Sequence, residues 1–108
     1  MGMKVFEFLK NFRDFQKQNL PQLNSLEDFD IVRLIGYHQD AGTPLTLKAL
    51  FLEGIGSVAT VQRRLRRLTR LGVVVQRRAK HDRRNLELDL SPEIRKIYGR
   101  KRRLLRSL

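Results

Sequence analysis

The feature that most restricts how this chain can fold is a change of apolar period at Gly72. Before this glycine, Val58, Val61, Leu65 and Leu68 recur at the spacing of one helical face. After it, the runs VVVQRR and NLELDL alternate with a period of two, which is typical of half-buried strands. Glycine is also favoured at the left-handed end of a helix. The sequence therefore predicts a helix that leads directly into a β-hairpin.

A glycine turn precedes this helix and joins it to a shorter one. Thr46 can cap the segment LKALFLEG, and the turn GIGS follows, in which two glycines supply backbone freedom. Ser57 can then cap the long helix, which we expect to run to Leu71. Two helices joined by such a turn and followed by a hairpin form the plan of a winged helix-turn-helix.

Amphipathic segments flank this core. Phenylalanines recur at helical spacing in residues 4–19, which predicts an amphipathic N-terminal helix. Ser25 can cap a second helix that ends near Gly42. Ser91, Pro92 and Glu93 resemble the start of a last helix that runs to the end of the chain.

We therefore expect a mainly α fold with a small β-hairpin (α+β), namely a winged helix-turn-helix with flanking N- and C-terminal helices. We predict a single domain over residues 1–108. Its parts are an N-terminal helix at 4–19, a winged-helix core at 26–91 and a basic C-terminal helix at 92–108.

The positive charge is concentrated in the second half of the chain. The whole chain carries a formal charge of +12, and residues 55–108 contain 17 basic side chains against 4 acidic ones. Such asymmetry is typical of a surface that binds a polyanion, because neutralising each phosphate releases counterions. Nucleic acid is the partner that this distribution favours, ahead of an anionic membrane. A merely solvated basic face is the alternative, although no acid lies among the arginines between positions 63 and 78.

The helix before Gly72 carries much of this charge on the face opposite its apolar stripe. Small and hydrogen-bonding residues lie in its first turns, and only cations follow on the outer face. This order suits a helix that enters the major groove by its N-terminal end. Arg64 falls beside the apolar stripe, and we expect its head to reach solvent or a phosphate. The candidate DNA-contacting residues of the helix and the hairpin tip are Ser57, Ala59, Thr60, Gln62, Arg63, Arg66, Arg67, Arg70, Arg78, Lys80, His81, Asp82, Arg83 and Arg84.

The stretch LTRLGVVVQRRAKHDRRNLELDLSPE resembles the multiple-antibiotic-resistance-regulator (MarR) family. That family carries an Asp-x-Arg pair in its wing and a Leu-Thr pair at a fixed distance after it. Asp82 and Arg84 match the first pair around Arg83, and Leu90 with Ser91 matches the second. The resemblance covers roughly residues 29 to 95.

The resemblance implies that Arg84 enters the DNA minor groove and that Asp82 orients it through a salt bridge. It also implies a homodimer, formed by the N-terminal and C-terminal helices. Members of the family usually have two long C-terminal helices, whereas this chain has room for one. The apolar faces at both ends favour dimerisation independently, since an exposed apolar patch usually marks a partner surface.

We expect a sequence-specific double-stranded DNA-binding transcriptional regulator, with helix 58–71 in the major groove and wing 79–84 in the minor groove. The alternative is a phage, plasmid or nucleoid-associated protein that uses the same fold with low sequence specificity for replication, partition or DNA architecture. RNA binding is less favoured, because no aromatic residue stands in the basic helix or wing.

No motif indicates an enzyme or a cofactor. The absence of cysteine excludes disulfides, thiolate catalysis and the usual zinc modules. Lone histidines at positions 38 and 81 do not make a metal site, and no residue set argues for a small-molecule effector. The sequence also shows no secretion signal, so a cytoplasmic, nucleoid-associated protein without a membrane partner is the expectation.

Overall fold

The structure, a computed structural model, describes residues 2–106 apart from the side chains of residues 103 and 104. The described chain is mainly helical with one small sheet, as predicted. In chain order the elements are α1 (Val5–Asn19), α2 (Leu26–Asp40), β1 (Leu45–Thr46), α3 (Leu47–Phe51), α4 (Val58–Arg70), β2 (Val74–Arg78), β3 (Leu86–Leu90), α5 (Pro92–Gly99) and α6 (Arg102–Arg106).

The chain divides into two compact units. Residues Gln22–Ser91 form one unit, and the segments on either side of it form the other. The single domain over residues 1–108, with its winged-helix core at 26–91, stays a prediction. Within residues 2–106, no helix has both the length and the apolar character needed to cross a membrane.

The unit of residues 22–91 has one apolar core between its helices and a three-stranded antiparallel sheet of order β1-β3-β2. The predicted hairpin is confirmed, with Val74 opposite Leu90 and Arg78 opposite Leu86. The extended segment before α3 forms the short strand β1, which pairs antiparallel with β3. The buried apolar residues of this unit are Leu23, Ile31, Val32, Ile35, Leu45, Leu50, Val61, Leu65, Leu68, Val73, Val74, Leu88 and Leu90.

Close approach between α2 and β3 depends on a glycine. A Cβ atom at Gly36 would lie 3.1 Å from Leu90 Cδ1, which leaves no room for a larger residue without a shift. The Gln39 side chain, one turn later, accepts a 2.9 Å hydrogen bond from the Leu90 N–H. The end of the hairpin's return strand is therefore held against α2.

The three predicted helix caps are confirmed. Ser25, Thr46 and Ser57 each accept a 3.1 Å hydrogen bond from a backbone N–H in the first turn of α2, α3 and α4 respectively. Gly72 ends α4 with a φ of 77°, a backbone conformation that L side chains rarely adopt. These local signals set where the helix-turn-helix begins and where the hairpin leaves it.

The unit formed by the two ends of the chain is built on aromatic side chains. Phe15 is buried, and Phe8, Phe12 and Tyr98 continue a row of ring contacts with centroids about 6 Å apart. At the other edge of α1, Val5, Phe6 and Leu9 are exposed, with Phe6 83% accessible.

The predicted continuous C-terminal helix 92–108 is wrong within the described residues. The structure divides it into α5 and α6, and residues 107 and 108 lie outside the description. The Arg100 N–H is shared between the Lys96 and Ile97 carbonyls, and the Lys101 N–H turns to the Tyr98 carbonyl. Gly99 weakens the helix at this point, and four basic residues in a row, from 100 to 103, repel one another.

Candidate nucleic-acid interface

Helix α4 separates a buried stripe from an exposed basic face. Val61, Leu65 and Leu68 are buried, and they confirm three of the four predicted stripe residues. Val58 is the exception and is 52% exposed, because it occupies the first position of the helix, before the stripe reaches the core. The exposed residues of α4 are Val58, Ala59, Gln62, Arg63, Arg66 and Arg70, whereas Thr60 is half-buried.

Three arginines of α4 present unneutralised charge. Arg63, Arg66 and Arg70 are exposed, and none of them forms an ion pair with a side chain that the structure describes. No acidic residue occurs in the first turn of the helix. At the N-terminal end, Ser57 is exposed and its Oγ lies 3.0 Å from Thr60 Oγ1. The exposed face therefore changes from hydrogen-bonding to cationic groups along the helix.

Two other arginines of α4 have an internal partner instead. Asp28, on α2, is fully buried, and Arg64 binds both oxygens of its carboxylate. Arg67 Nη1 donates to the Gln22 carbonyl at 2.7 Å and lies 3.3 Å from Asp28 Oδ2. The expectation that the Arg64 head reaches solvent or phosphate is wrong. Arg67, a candidate DNA contact, is half-buried with its guanidinium directed into the unit.

The environment of Asp28 favours its charged form. Burial by itself would raise the pKa of this carboxyl group. Hydrogen bonds from Arg64 and from the Asn24 N–H, together with the charges of Arg64 and Arg67, outweigh burial and lower the pKa below its ordinary value of 3.8. The hydrogen bond to Asp28 likewise raises the pKa of Arg64. The pair is therefore ionised at neutral pH.

The hairpin tip, residues 79–85, contains the predicted wing, residues 79–84. The Ala79 N–H donates to the Asn85 carbonyl at 3.0 Å, and the Asn85 N–H donates to the Asp82 carbonyl at 3.0 Å. Arg78 Nη1 also donates to the Arg83 carbonyl at 3.0 Å. Five predicted contact residues of this region are exposed: Arg78, Lys80, His81, Arg83 and Arg84.

Asp82 organises this tip. Its Oδ1 accepts a 3.1 Å hydrogen bond from the Arg84 N–H, and its Oδ2 accepts one of 3.2 Å from the Asn85 side chain. Arg84 Nε lies 3.4 Å from Asp82 Oδ1, so the expected ion pair is present at the long end of the range. The Arg84 side chain is 92% exposed. Asp82 therefore shapes the backbone at least as strongly as it holds the guanidinium.

A second internal ion cluster lies on the two hairpin strands. Arg77 Nε donates to Asp89 at 2.7 Å, and Arg77 Nη1 pairs with Glu87, which stands opposite it in the sheet. The hydrogen bond to Asp89, followed by that to Glu87, raises the pKa of Arg77. These acids neutralise Arg77 and leave the exposed positive charge of the hairpin at its tip.

The sequence did not predict the ion pairs of Asp28 with Arg64 and Arg67. Its position three residues after the Ser25 cap identifies it as a first-turn acid, which is an ordinary role. Nothing in the local pattern points to a partner 36 residues away. The only available signal was Arg64, a cation placed beside an apolar stripe. Among the described residues, no group of three His, Cys, Asp or Glu side chains could hold a metal ion.

No protein-family model matches the sequence, and no curated protein matches it. Solved structures are similar to it over most of the chain. The crystal structure of MarR gives a TM-score of 0.61 at 18% identity, covering 92% of this chain and 70% of that one. A SlyA-like transcription regulator from Listeria monocytogenes gives 0.59 at 16% identity, covering 98% and 71%. Streptococcus pneumoniae FabT in complex with DNA gives 0.57 at 21% identity, covering 94% and 74%.

The chain has a MarR-like winged helix-turn-helix fold. In this MarR-like fold, α3 and α4 form the helix-turn-helix and the β2–β3 hairpin forms the wing. The identities are too low to carry more than the fold. Any functional assignment depends on the exposed charges of α4 and the wing.

Proposed function

We propose that this MarR-like chain is a sequence-specific double-stranded DNA-binding transcriptional regulator. The observation that carries the proposal is the exposed cationic row of Arg63, Arg66 and Arg70 on α4. An exposed row of like charges on one helix destabilises the free protein slightly, and a polyanion relieves the repulsion. The DNA complex formed by FabT, which is similar in fold, is consistent with this proposal.

In the proposed complex, α4 enters the major groove by its N-terminal end. Gln62 and Arg63 can form two-pronged hydrogen bonds with base edges, and Ala59 can contact a thymine methyl group. Ser57 and Thr60 lie in the same first turn, where short polar side chains suit a close approach. Arg66 and Arg70, further along, contact phosphates and set the register of the helix.

The wing, residues 79–84, follows the minor groove in this proposal. Arg84 is the side chain that enters it, because a narrow minor groove concentrates negative potential. Asp82 holds the Arg84 backbone and limits the rotamers of its side chain. The exposed cations Arg78, Lys80 and Arg83, together with the exposed His81 side chain, bind the flanking phosphates.

The regulator acts as a homodimer in this proposal. The exposed apolar residues Val5, Phe6 and Leu9 of α1 supply a surface that a second copy covers, and Leu105 of α6 is an exposed apolar residue of the C-terminal segment. A two-fold dimer requires a palindromic site whose half-sites lie about one turn, ~10 bp, apart.

Selection of bound fragments from a random duplex library tests the proposal most directly. We expect a palindromic consensus and an affinity for it at least about 1,000-fold higher than for random duplex at physiological salt. Tight, salt-sensitive binding with no enriched sequence would instead support the architectural or replication role. Failure to retain any duplex DNA at low salt would refute both assignments.

A further inference from the structure

We propose that Asp28 anchors α4 and withholds Arg64 and Arg67 from the DNA phosphates, so that it acts as a positioning residue for sequence recognition. The proposal rests on the proposed function of α4 as the base-reading helix. It assigns the five arginines of α4 to two groups: Arg63, Arg66 and Arg70 face the partner, whereas Arg64 and Arg67 fix the helix to α2.

The contacts define a two-pronged attachment. Arg64 Nε donates to Asp28 Oδ1 at 2.8 Å, and Arg64 Nη2 pairs with Oδ2 of the same carboxylate. The fork geometry restrains translation and rotation of α4 more than a single ion pair would. Arg64 Nη2 also pairs with the Asn24 side-chain oxygen. Arg67, one turn later, adds a second attachment point through the Gln22 carbonyl and Asp28.

The Asp28 carboxylate is shielded from solvent, so water cannot replace its protein partners. Asp28 is the one acidic residue that is buried among the described side chains. Its Oδ2 also accepts a 3.0 Å hydrogen bond from the Asn24 N–H, so a backbone donor holds the carboxylate in addition to the arginines. Removing one partner of a buried ion pair leaves an uncompensated charge, so Arg64 cannot leave Asp28 for a phosphate without a large cost.

Withholding these charges favours discrimination between sequences. Each phosphate contact adds affinity for all duplexes equally and carries no sequence information directly. Two fewer mobile cations therefore lower binding to random DNA, while a fixed helix keeps Gln62 and Arg63 in register with base edges. An apolar pair at positions 28 and 64 would pack α2 against α4 but would not fix the rotation of the helix in this way.

The test compares Asp28→Asn and Arg64→Lys with controls from the exposed pair on α2. The Asp28→Asn side chain has nearly the shape of the natural one without its charge, and Arg64→Lys keeps the charge without the fork. Asp30 and Arg33 form an exposed ion pair on the same helix, so Asp30→Asn and Arg33→Lys are the matched controls. Thermal unfolding first establishes that each variant is folded at the assay temperature.

On random duplex, we expect Asp28→Asn to steepen the slope of log affinity against log salt by up to about 1.8, the value for two added phosphate contacts. Arg64→Lys should leave this slope near that of the unaltered chain. Both variants should lower the ratio of selected-site to random affinity by about tenfold, the size of one misplaced base contact. The control variants should change neither quantity. A purely structural role would weaken both duplexes equally and would not move this ratio.

Hydrogen exchange of arginine Nε–H groups in the DNA-free protein tests the anchor separately. We expect the Arg64 group to exchange at least about tenfold more slowly than that of Arg70, and Asp28→Asn to abolish the difference. Equal rates in the unaltered chain would overturn the anchor, as would a specificity ratio that Arg64→Lys leaves intact. If the unaltered chain binds no duplex, the proposed function fails, and the exchange rates still decide whether Asp28 holds α4. Should Asp28→Asn not fold, Arg64→Lys and the exchange rates decide.

Discussion

Neighbouring arginines on α4 have opposite surroundings, although the sequence places them side by side. Arg63 is exposed, whereas the side chain of Arg64 is only 18% exposed and binds a buried carboxylate. The rotation of about 100° between adjacent helical residues accounts for the difference. At the scale of single residues, helix position therefore decides which cation can meet a partner.

Replacing Arg63 and Arg70 separately by alanine tests the division between base and phosphate contacts. We expect Arg63→Ala to cost about 1 to 3 kcal/mol on the selected site and to relax specificity at one base pair. Arg70→Ala should weaken all duplexes similarly and reduce the salt slope by about one. Titrations of selected and random duplexes at several salt concentrations measure both effects. Equal losses on both duplexes for Arg63→Ala would contradict its base-reading role.

Asp82→Ala is expected to weaken DNA binding although it removes a negative charge from the interface. The reason is that Asp82 accepts the Arg84 and Asn85 donors that shape the wing tip. Asp82→Asn keeps an acceptor for the Arg84 N–H and should retain more affinity than alanine. Equilibrium titration of the selected duplex compares the three proteins. Tighter binding by the alanine variant would show that the charge of Asp82 matters more than its hydrogen bonds.

The pH dependence of stability should report on Asp28. Because its pKa is lower in the folded protein than the ordinary value of 3.8, its ionised form stabilises the fold above that pH. This contribution should be lost progressively as the pH falls through the lower, folded-state value. Urea unfolding at a series of pH values below about 5 measures it. Asp28→Asn should be less stable at neutral pH and show a flatter acid limb, and a curve parallel to the unaltered chain would argue against the assignment.

At the scale of elements, the helix ends depend on backbone conformation that single glycines permit. Gly72 takes a φ of 77° at the end of α4, whereas Gly99 has no such requirement and a Cβ atom there would meet no other atom within 4 Å. The first glycine is needed for the turn into the wing. The second only lowers the helix propensity between α5 and α6.

Alanine substitutions at these two glycines should therefore change the stability of the chain in opposite directions. Gly99→Ala should raise the helical signal and stabilise the chain by about 0.5 to 1 kcal/mol. Gly72→Ala should destabilise it by about 1 to 2 kcal/mol, because alanine is strained at positive φ. Circular dichroism and urea unfolding measure the two effects. Destabilisation by Gly99→Ala would show that the break between α5 and α6 has a cause other than propensity.

At the scale of the whole molecule, the residues of the proposed dimer surface and those of the proposed DNA contacts belong to different units of the chain. The exposed apolar residues of α1 belong to the unit built from the chain ends, and the unpaired cations of α4 and the wing belong to residues 22–91. The proposed self-association and the proposed DNA binding therefore depend on different residues.

Phe6→Asp should shift the chain from dimer to monomer, because it places a charge in the apolar surface of α1. Sedimentation measurements across a range of protein concentrations report the change. Leu52 is comparably exposed, at 78%, but lies on the other unit, so Leu52→Asp is the matched control and should leave association unchanged. An equal shift for both variants, or none for Phe6→Asp, would contradict the proposed dimer surface. The monomeric variant should also lose preference for a paired half-site over a single one.

The elements of this chain were largely predictable because their signals are local. Ser25, Thr46 and Ser57 act on N–H groups three residues away, and the alternation around the wing has a period of two. The break after Gly99 was not predicted, since its propensity signal is weak and competes with the helical spacing of the residues around it. The helical spacing of the apolar residues also predicted which side of α4 is buried and which is exposed.

The sequence by itself determined the helix-turn-helix, the wing and the concentration of positive charge in the second half. Only the tertiary structure decided which cations remain free. Arg64 and Arg67 meet Asp28 across separations of 36 and 39 residues, and Arg77 meets Glu87 and Asp89 across the hairpin. Periodicity assigns a residue to a face, whereas the partner of a buried charge depends on which other element that face packs against.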